Sequence, residues 1–239
     1  MPLTTGTVRQ QLVALAATVA VAVAVVIALL TSNDDRSAGS PAPPTTPSAT
    51  NVNLGPAGDT PRRADDDPLV LGSPDAPVTM VVFEDFRCEY CAHFTREIQP
   101  ALIDRYVDTG VLRIEWRDAP MAGPQSRSAA RAGRAAAGQG RFWTFVQTVM
   151  EASPAQGRPD LTPEVLTSFA RQAGVDDLDR FDRDMRSDSY DSEIESDLAL
   201  AKRLFIPPVP AFWINGTPLL GGMPLQVYVN VIEGVRPPR

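Results

Sequence analysis

The chain has 239 residues, 44% hydrophobic and 21% charged, with 22 Lys and Arg against 29 Asp and Glu for a net charge of −7. So acidic a balance leaves no basic face for general nucleic-acid binding. Two cysteines and one histidine exclude a multi-disulfide scaffold, and Cys88, Cys91 and His93 are too few and too crowded to close a tetrahedral zinc site.

After an N-terminal tail, 1–11, residues 12–30 run LVALAATVAVAVAVVIALL with no charge. A helix there would be about 28 Å long, close to the hydrocarbon thickness of a bilayer. The run is long for a signal-peptide core, which has about 7–15 apolar residues, so it reads as a retained transmembrane anchor rather than a cleaved leader. Arg9 before it and Arg36 after it encode orientation only weakly. Residues 31–68 carry seven prolines, and Val52 and Leu54 are their only large aliphatics. Such a segment buries too little to offset its ordering entropy, and is predicted to be a disordered, Pro-rich tether.

Residues 69–239 form the expected folded domain. Val78–Phe83 is an apolar, β-branched run, hence a buried strand. A helix is predicted from about 89 to 109, with Phe94, Ile98, Ala101 and Leu102 on one stripe, a kink at Pro100 and a stop at Gly110. Val111–Trp116 gives a second strand, so strand–helix–strand implies parallel pairing. A helical stretch follows, as an insertion over about 118–205. Its helices are marked by Phe142, Phe145 and Val149, by Thr162-Pro163 with Leu166 and Phe169, by Phe181 and Met185, and by Ile194, Leu198 and Ala201. Ala211–Ile214 and Thr217–Leu220 flank Asn215-Gly216, a strong hairpin signal, and a last helix begins near Pro224. The order is β-α-β, helical insertion, β-β-α: an α/β fold.

Cys88-Glu89-Tyr90-Cys91 follows a buried strand and opens a helix. At that helix N-terminus, free N–H groups favour thiolate at Cys88, which is expected to carry the exchange; Cys91, one turn on, resolves the mixed disulfide. As a structural staple the pair would be poor, since it closes so short a loop. Glu89 places a carboxylate beside Cys88 and is expected to tune it toward a milder oxidant. His93 points away from both sulfurs and is expected to be structural. Glu84 and Asp85 read as solvated loop acids, with proton acceptance for Cys91 as the alternative.

Val82-Phe83-Glu84-Asp85-Phe86-Arg87-Cys88-Glu89-Tyr90-Cys91, together with Val209-Pro210-Ala211-Phe212-Trp213-Ile214-Asn215-Gly216, resembles the DsbA-like thiol–disulfide oxidoreductases of the thioredoxin superfamily, especially the membrane-anchored Gram-positive and actinobacterial type. The resemblance implies a thioredoxin fold with the helical insertion, a cis-Pro210 facing the cysteines, and Val209, Pro210 and Tyr90 as substrate-binding residues. It also implies no metal or organic cofactor. Its partners would be unfolded exported proteins with reduced cysteines and a membrane quinone-linked thiol oxidase of the DsbB or vitamin-K-epoxide-reductase-like type. The catalytic domain would then be extracytoplasmic on a single-pass anchor. Two positions depart from the family pattern: Glu89 replaces the usual proline, and Val82 replaces the usual buried acid six residues before the first cysteine, leaving Glu84 as the displaced candidate for tuning. The rival readings are a disulfide reductase or isomerase, and a tethered chaperone-like binding module with incidental cysteines.

Overall fold

The structure is a computed structural model that describes residues 60–64, 66–207 and 209–238. The tail 1–11, the predicted anchor 12–30 and most of the predicted tether lie outside the described residues. Among the described residues, no helix is long and apolar enough to cross a membrane.

A mixed sheet organises the domain. Strands β1 (Val70–Leu71), β2 (Val78–Glu84), β3 (Leu112–Asp118), β4 (Ala211–Ile214) and β5 (Thr217–Leu220) lie in the order β1-β3-β2-β4-β5. β2 and β3 are parallel, as strand–helix–strand requires, and the remaining pairs are antiparallel. β2 and β3 are buried along nearly their whole length, so both read as continuous strands without a solvent face. At the β4–β5 turn Asn215 and Gly216 both take positive φ, and Asn215 Oδ1 accepts from Thr79 N–H at 2.9 Å, tying the hairpin back to β2.

The first helix, α1, spans 89–107 and is composite. Regular turns at Glu89–His93 and Gln99–Leu102 alternate with π-turns at Phe94–Ile98 and Ile103–Val107. Pro100 has no N–H to offer the Arg96 carbonyl, and the helix answers by widening: Gln99 N–H bonds back to Phe94 O, five residues away. The expected kink is thus accommodated as π-turns. Four further helices form the insertion with α2 (Pro124–Ala137): α3 (Phe142–Ala152), α4 (Pro163–Gln172), α5 (Leu178–Arg186) and α6 (Asp191–Arg203). Thr162 and Asp177 cap α4 and α5 through their side-chain oxygens. The last helix, α7, is Leu225–Val235.

Two apolar cores result. One lies under α1 and α7, where Phe94 packs on Phe212 at 4.7 Å and Phe212 on Tyr228 at 5.0 Å between ring centres. The other joins sheet to insertion through Phe86, Trp116, Phe142 and Phe145. In that core Gly133 of α2 leaves room for Phe86, because a Cβ there would stand 2.9 Å from the Phe86 ring.

Three features escape the sequence reading. β1 is a two-residue strand with no pattern to announce it. The ordered contacts begin before residue 69: Thr60 is buried, and Arg62 donates to Trp116 O at 2.7 Å while its amide donates to Glu115 at 2.7 Å. The tether's predicted end at 68 is therefore too late, since its last residues gain hydrogen bonds that its composition did not reveal. Finally, Arg117 and Arg134 are buried with Asp118 and Asp197 between β3, α2 and α6.

Candidate active site

Cys88 sits where β2 gives way to α1. Asp85 makes the bend: its carboxylate accepts from Arg87 N–H at 2.9 Å and its carbonyl from Cys88 N–H at 3.0 Å. The same carboxylate takes Met121 and Ala122 N–H at 2.8 and 2.9 Å, so three amides saturate it. Asp85 is buried, and the expectation of a solvated acid is corrected: it is the buttress of the loop. Cys88 itself is the N-cap, in extended conformation, and its Sγ accepts from Cys91 N–H at 3.3 Å.

The two sulfurs occupy opposite environments. Cys88 is half-buried at the mouth of the site, and Cys91 is sealed. A hydrogen bond from the Cys91 thiol, aided by the backbone N–H groups of Cys91 and Tyr90, holds the Cys88 pKa below its ordinary 9.0 against the opposing effect of burial. Burial first, then its bond to Cys88 and the charge of Glu84, pushes the Cys91 thiol well up. One thiol is thus prepared to ionise and to leave, and the other to hold its proton.

Glu84 is also buried, 2% exposed, so the solvated reading is corrected for it as well. It ends β2, where an all-buried strand offers no alternation to separate inside from outside. Burial, then the charge of Cys88, lifts its pKa well above the carboxylate range, and its Oε2 has no hydrogen-bond partner among the described residues. This acid lies electrostatically close to both cysteines.

The Val209–Pro210 bond is cis, and the thiol of Cys88 donates to Val209 O at 3.2 Å. Val209 and Tyr90 line a groove of about 570 Å³ that opens on Cys88; Met121, Ile206, Gly157 and Arg158 complete its walls. Tyr90 is 60% exposed. Cys88, Cys91, Glu84, Tyr90, Val209 and Pro210 are therefore brought together. Glu89 lines the same groove but turns its carboxylate to the Gly157 amide. His93 is exposed on α1. Among the described residues, no group of three or more His, Cys, Asp or Glu is placed to hold a metal ion. The sequence reading missed Arg87, which donates to Pro159 O and Ala122 O at 3.0 Å each. An arginine beside the motif, in a chain with 21 Arg and one Lys, was the available signal.

Comparison with known proteins agrees with this geometry. The family profile described as Thioredoxin matches residues 64–232. A probable disulfide bond formation protein D of Bacillus anthracis is 28% identical over 149 residues, covering 61% of this chain and 69% of that protein. A Na(+)/H(+) antiporter NhaA of Herminiimonas arsenicoxydans is 34% identical over 167 residues, which is 70% of this chain but only 25% of the antiporter. Among solved structures, oxidised BdbD from Bacillus subtilis superposes with a TM-score of 0.66 at 25% identity, over 70% of this chain and 91% of that one.

Proposed function

We propose a direction and a setting for a chain that belongs to the thioredoxin family and is a DsbA-like thiol–disulfide oxidoreductase: it introduces disulfides into exported proteins. The observation that carries this reading is the placement of Cys88 Sγ at a helix N-cap, open to the groove, while Cys91 is sealed behind it. A thiolate stabilised at Cys88 favours the reduced protein, so the disulfide form is a willing oxidant.

In the proposed sequence a substrate thiolate attacks Cys88 Sγ of the Cys88–Cys91 disulfide. The Cys88–Cys91 bond breaks, a substrate–Cys88 disulfide forms, and Cys91 departs as a thiolate. Glu84, kept protonated by burial, gives Cys91 its proton. A second substrate thiolate then attacks the substrate sulfur, and Cys88 leaves as a thiolate. Two electrons have moved from substrate to protein; the two substrate thiols give their protons to solvent, and Glu84 recovers from solvent the one it gave to Cys91. Val209 and Pro210 receive the extended substrate backbone, with Val209 O beside the reacting sulfur and Tyr90 supplying an apolar surface. The nearby charge that works against a Cys88 thiolate is that of Asp85, whereas Glu89 turns to Gly157. A membrane quinone-linked thiol oxidase of the DsbB or vitamin-K-epoxide-reductase-like type reoxidises the pair, and residues 12–30 hold the domain on the outer face of the membrane.

The test is to mix the oxidised protein with a reduced, unfolded multi-cysteine protein and follow disulfide gain by mass spectrometry. Wild type should transfer its disulfide, Cys88→Ser should be inert, and Cys91→Ala, with no internal disulfide to give, should transfer none and should instead trap a mixed disulfide through Cys88 when offered a disulfide-bonded substrate. Rapid reduction of insulin without oxidation of the reduced protein would turn the direction round. Full cellular activity of Cys88→Ser would instead make the groove a chaperone-like binding module.

A further inference from the structure

The loop between α3 and α4 forms one wall of the groove, yet it is fastened by residues of the cysteine motif. Glu89, between the two cysteines, accepts from the Gly157 amide, and Arg87 Nε donates to Pro159 O at 3.0 Å. The stretch 121–122, which also lines the groove, is held by the same short segment, through Asp85 and Arg87. The stretch 85–89 therefore presents the reactive thiol and fastens both of these lining segments.

Arg158 lies between the two fastened points on its loop. It is exposed at the groove and, among the described residues, has no hydrogen-bond or ion-pair partner. The other charged groups lining the groove are occupied. Asp85 is buried and takes three amides, Arg87 serves two carbonyls, and Glu89 serves Gly157. A free guanidinium on a pinned backbone is a pre-organised carboxylate receptor, because its fork can take both oxygens without first ordering the loop.

We infer that Glu89 is a positioning residue that holds Arg158 as a specificity determinant, favouring substrate segments with an Asp or Glu side chain close to the reacting cysteine. The inference rests on the disulfide-exchange reading of the groove. Since Arg158 is exposed, the preference is modest, about two- to fivefold, and it shrinks as salt screens the pair.

The experiment uses oxidised protein and cysteine peptides identical except for Asp, Asn or Lys two residues from the cysteine, in one set before it and in another after it. Rates of mixed-disulfide formation are read at low and high salt. Wild type should favour Asp over Asn in at least one set, with the difference in KM rather than kcat and lost at high salt. Arg158→Gln should bring the Asp-to-Asn ratio to about one, and Arg158→Glu should turn the preference to Lys. Glu89→Ala should lower the ratio, whereas Glu89→Gln, which keeps a carbonyl acceptor for Gly157, should retain it. A merely structural Glu89 would slow all peptides alike and leave the ratio unmoved. Equal wild-type rates in both sets, or an Asp preference that survives Arg158→Gln, overturn the inference. Wild-type protein that exchanges with no peptide overturns the functional reading instead.

Discussion

Glu84 and Asp118 are register partners across β2 and β3, both are buried, and they have opposite fates. Asp118 accepts from Trp116 Nε1 at 2.9 Å and Arg134 Nε at 2.6 Å, and its amide donates to Asp197 at 3.1 Å. Asp197 in turn takes Arg117 at 2.9 Å and Arg134 at 2.8 Å. Burial raises the pKa of Asp118, but the Arg134 charge pulls against it. Glu84 has no guanidinium, and one of its oxygens has no partner among the described residues. The low dielectric is common to both; the available cation is not. With arginine present, a buried acid becomes a charged fastener between sheet and insertion. Without one, it stays a neutral carboxyl that can hand over a proton.

The largest effect expected from this contrast is on stability. Asp197→Asn removes the charge that faces Arg117 and Arg134, leaving buried guanidinium groups short of counter-charge. It should cost about 3–5 kcal/mol in urea unfolding. A cost under about 1 kcal/mol would mean that water already compensates the cluster.

Glu84→Gln should act on rate. The first exchange, in which Cys91 leaves and takes the Glu84 proton, should slow about 10²-fold in stopped-flow measurements, within the usual range for a positioned acid or base. An unchanged rate would remove Glu84 from the proton path. The same variant has a stability signature. Between the ordinary 4.5 and the raised folded value, the unfolded chain has lost the Glu84 proton and the native state keeps it, so native stability falls as pH rises through that window. Glu84→Gln should abolish that fall, worth about 1.4 kcal/mol per pK unit, and should therefore be the more stable protein at neutral pH. Cys88 has the opposite sign. Its folded pKa is depressed, so reduced protein holds a stabilising contribution above 9.0 and loses it as pH falls through the folded value. Unfolding of reduced wild type and reduced Cys88→Ser should diverge as pH rises from neutral; parallel curves would contradict a stabilised thiolate.

The smallest effect falls on an ion pair that bridges the same two helices at the surface. Arg131 of α2 meets Asp191 of α6 through two short contacts, yet both are partly exposed. Arg131→Ala should cost only about 0.2–1 kcal/mol. If it matched Asp197→Asn, solvent exposure would not be what separates the two settings.

Much of this architecture was legible because local signals agreed with the fold. The β-branched run before Cys88, Asn215-Gly216 between two apolar stretches, and Thr162-Pro163 each announce an element that the structure contains. The placement of Cys88 followed from position, since a cysteine after a strand and before a helix becomes its N-cap. What escaped is what depends on distant partners. Glu84 and Asp85 look like loop acids until Met121, Ala122 and the sheet close over them. Arg117 and Asp197 are 80 residues apart, and neither suggests the other. Glu89 looks like a neighbour of the thiol, and only the fold brings Gly157 to it.

The arm at Thr60–Arg62 has a mechanical consequence. Thr60 O is gripped by Arg117 and Arg62 by Trp116, Glu115 and Asp197, all on the seam of β3 and α6. Tension arriving along the chain ahead of residue 60 would load that seam. The groove walls are fastened by a different set of contacts, those of 85–89, so a tug on the front of the protein would reach the spacing around Cys88 only through β3 and the turn that follows it.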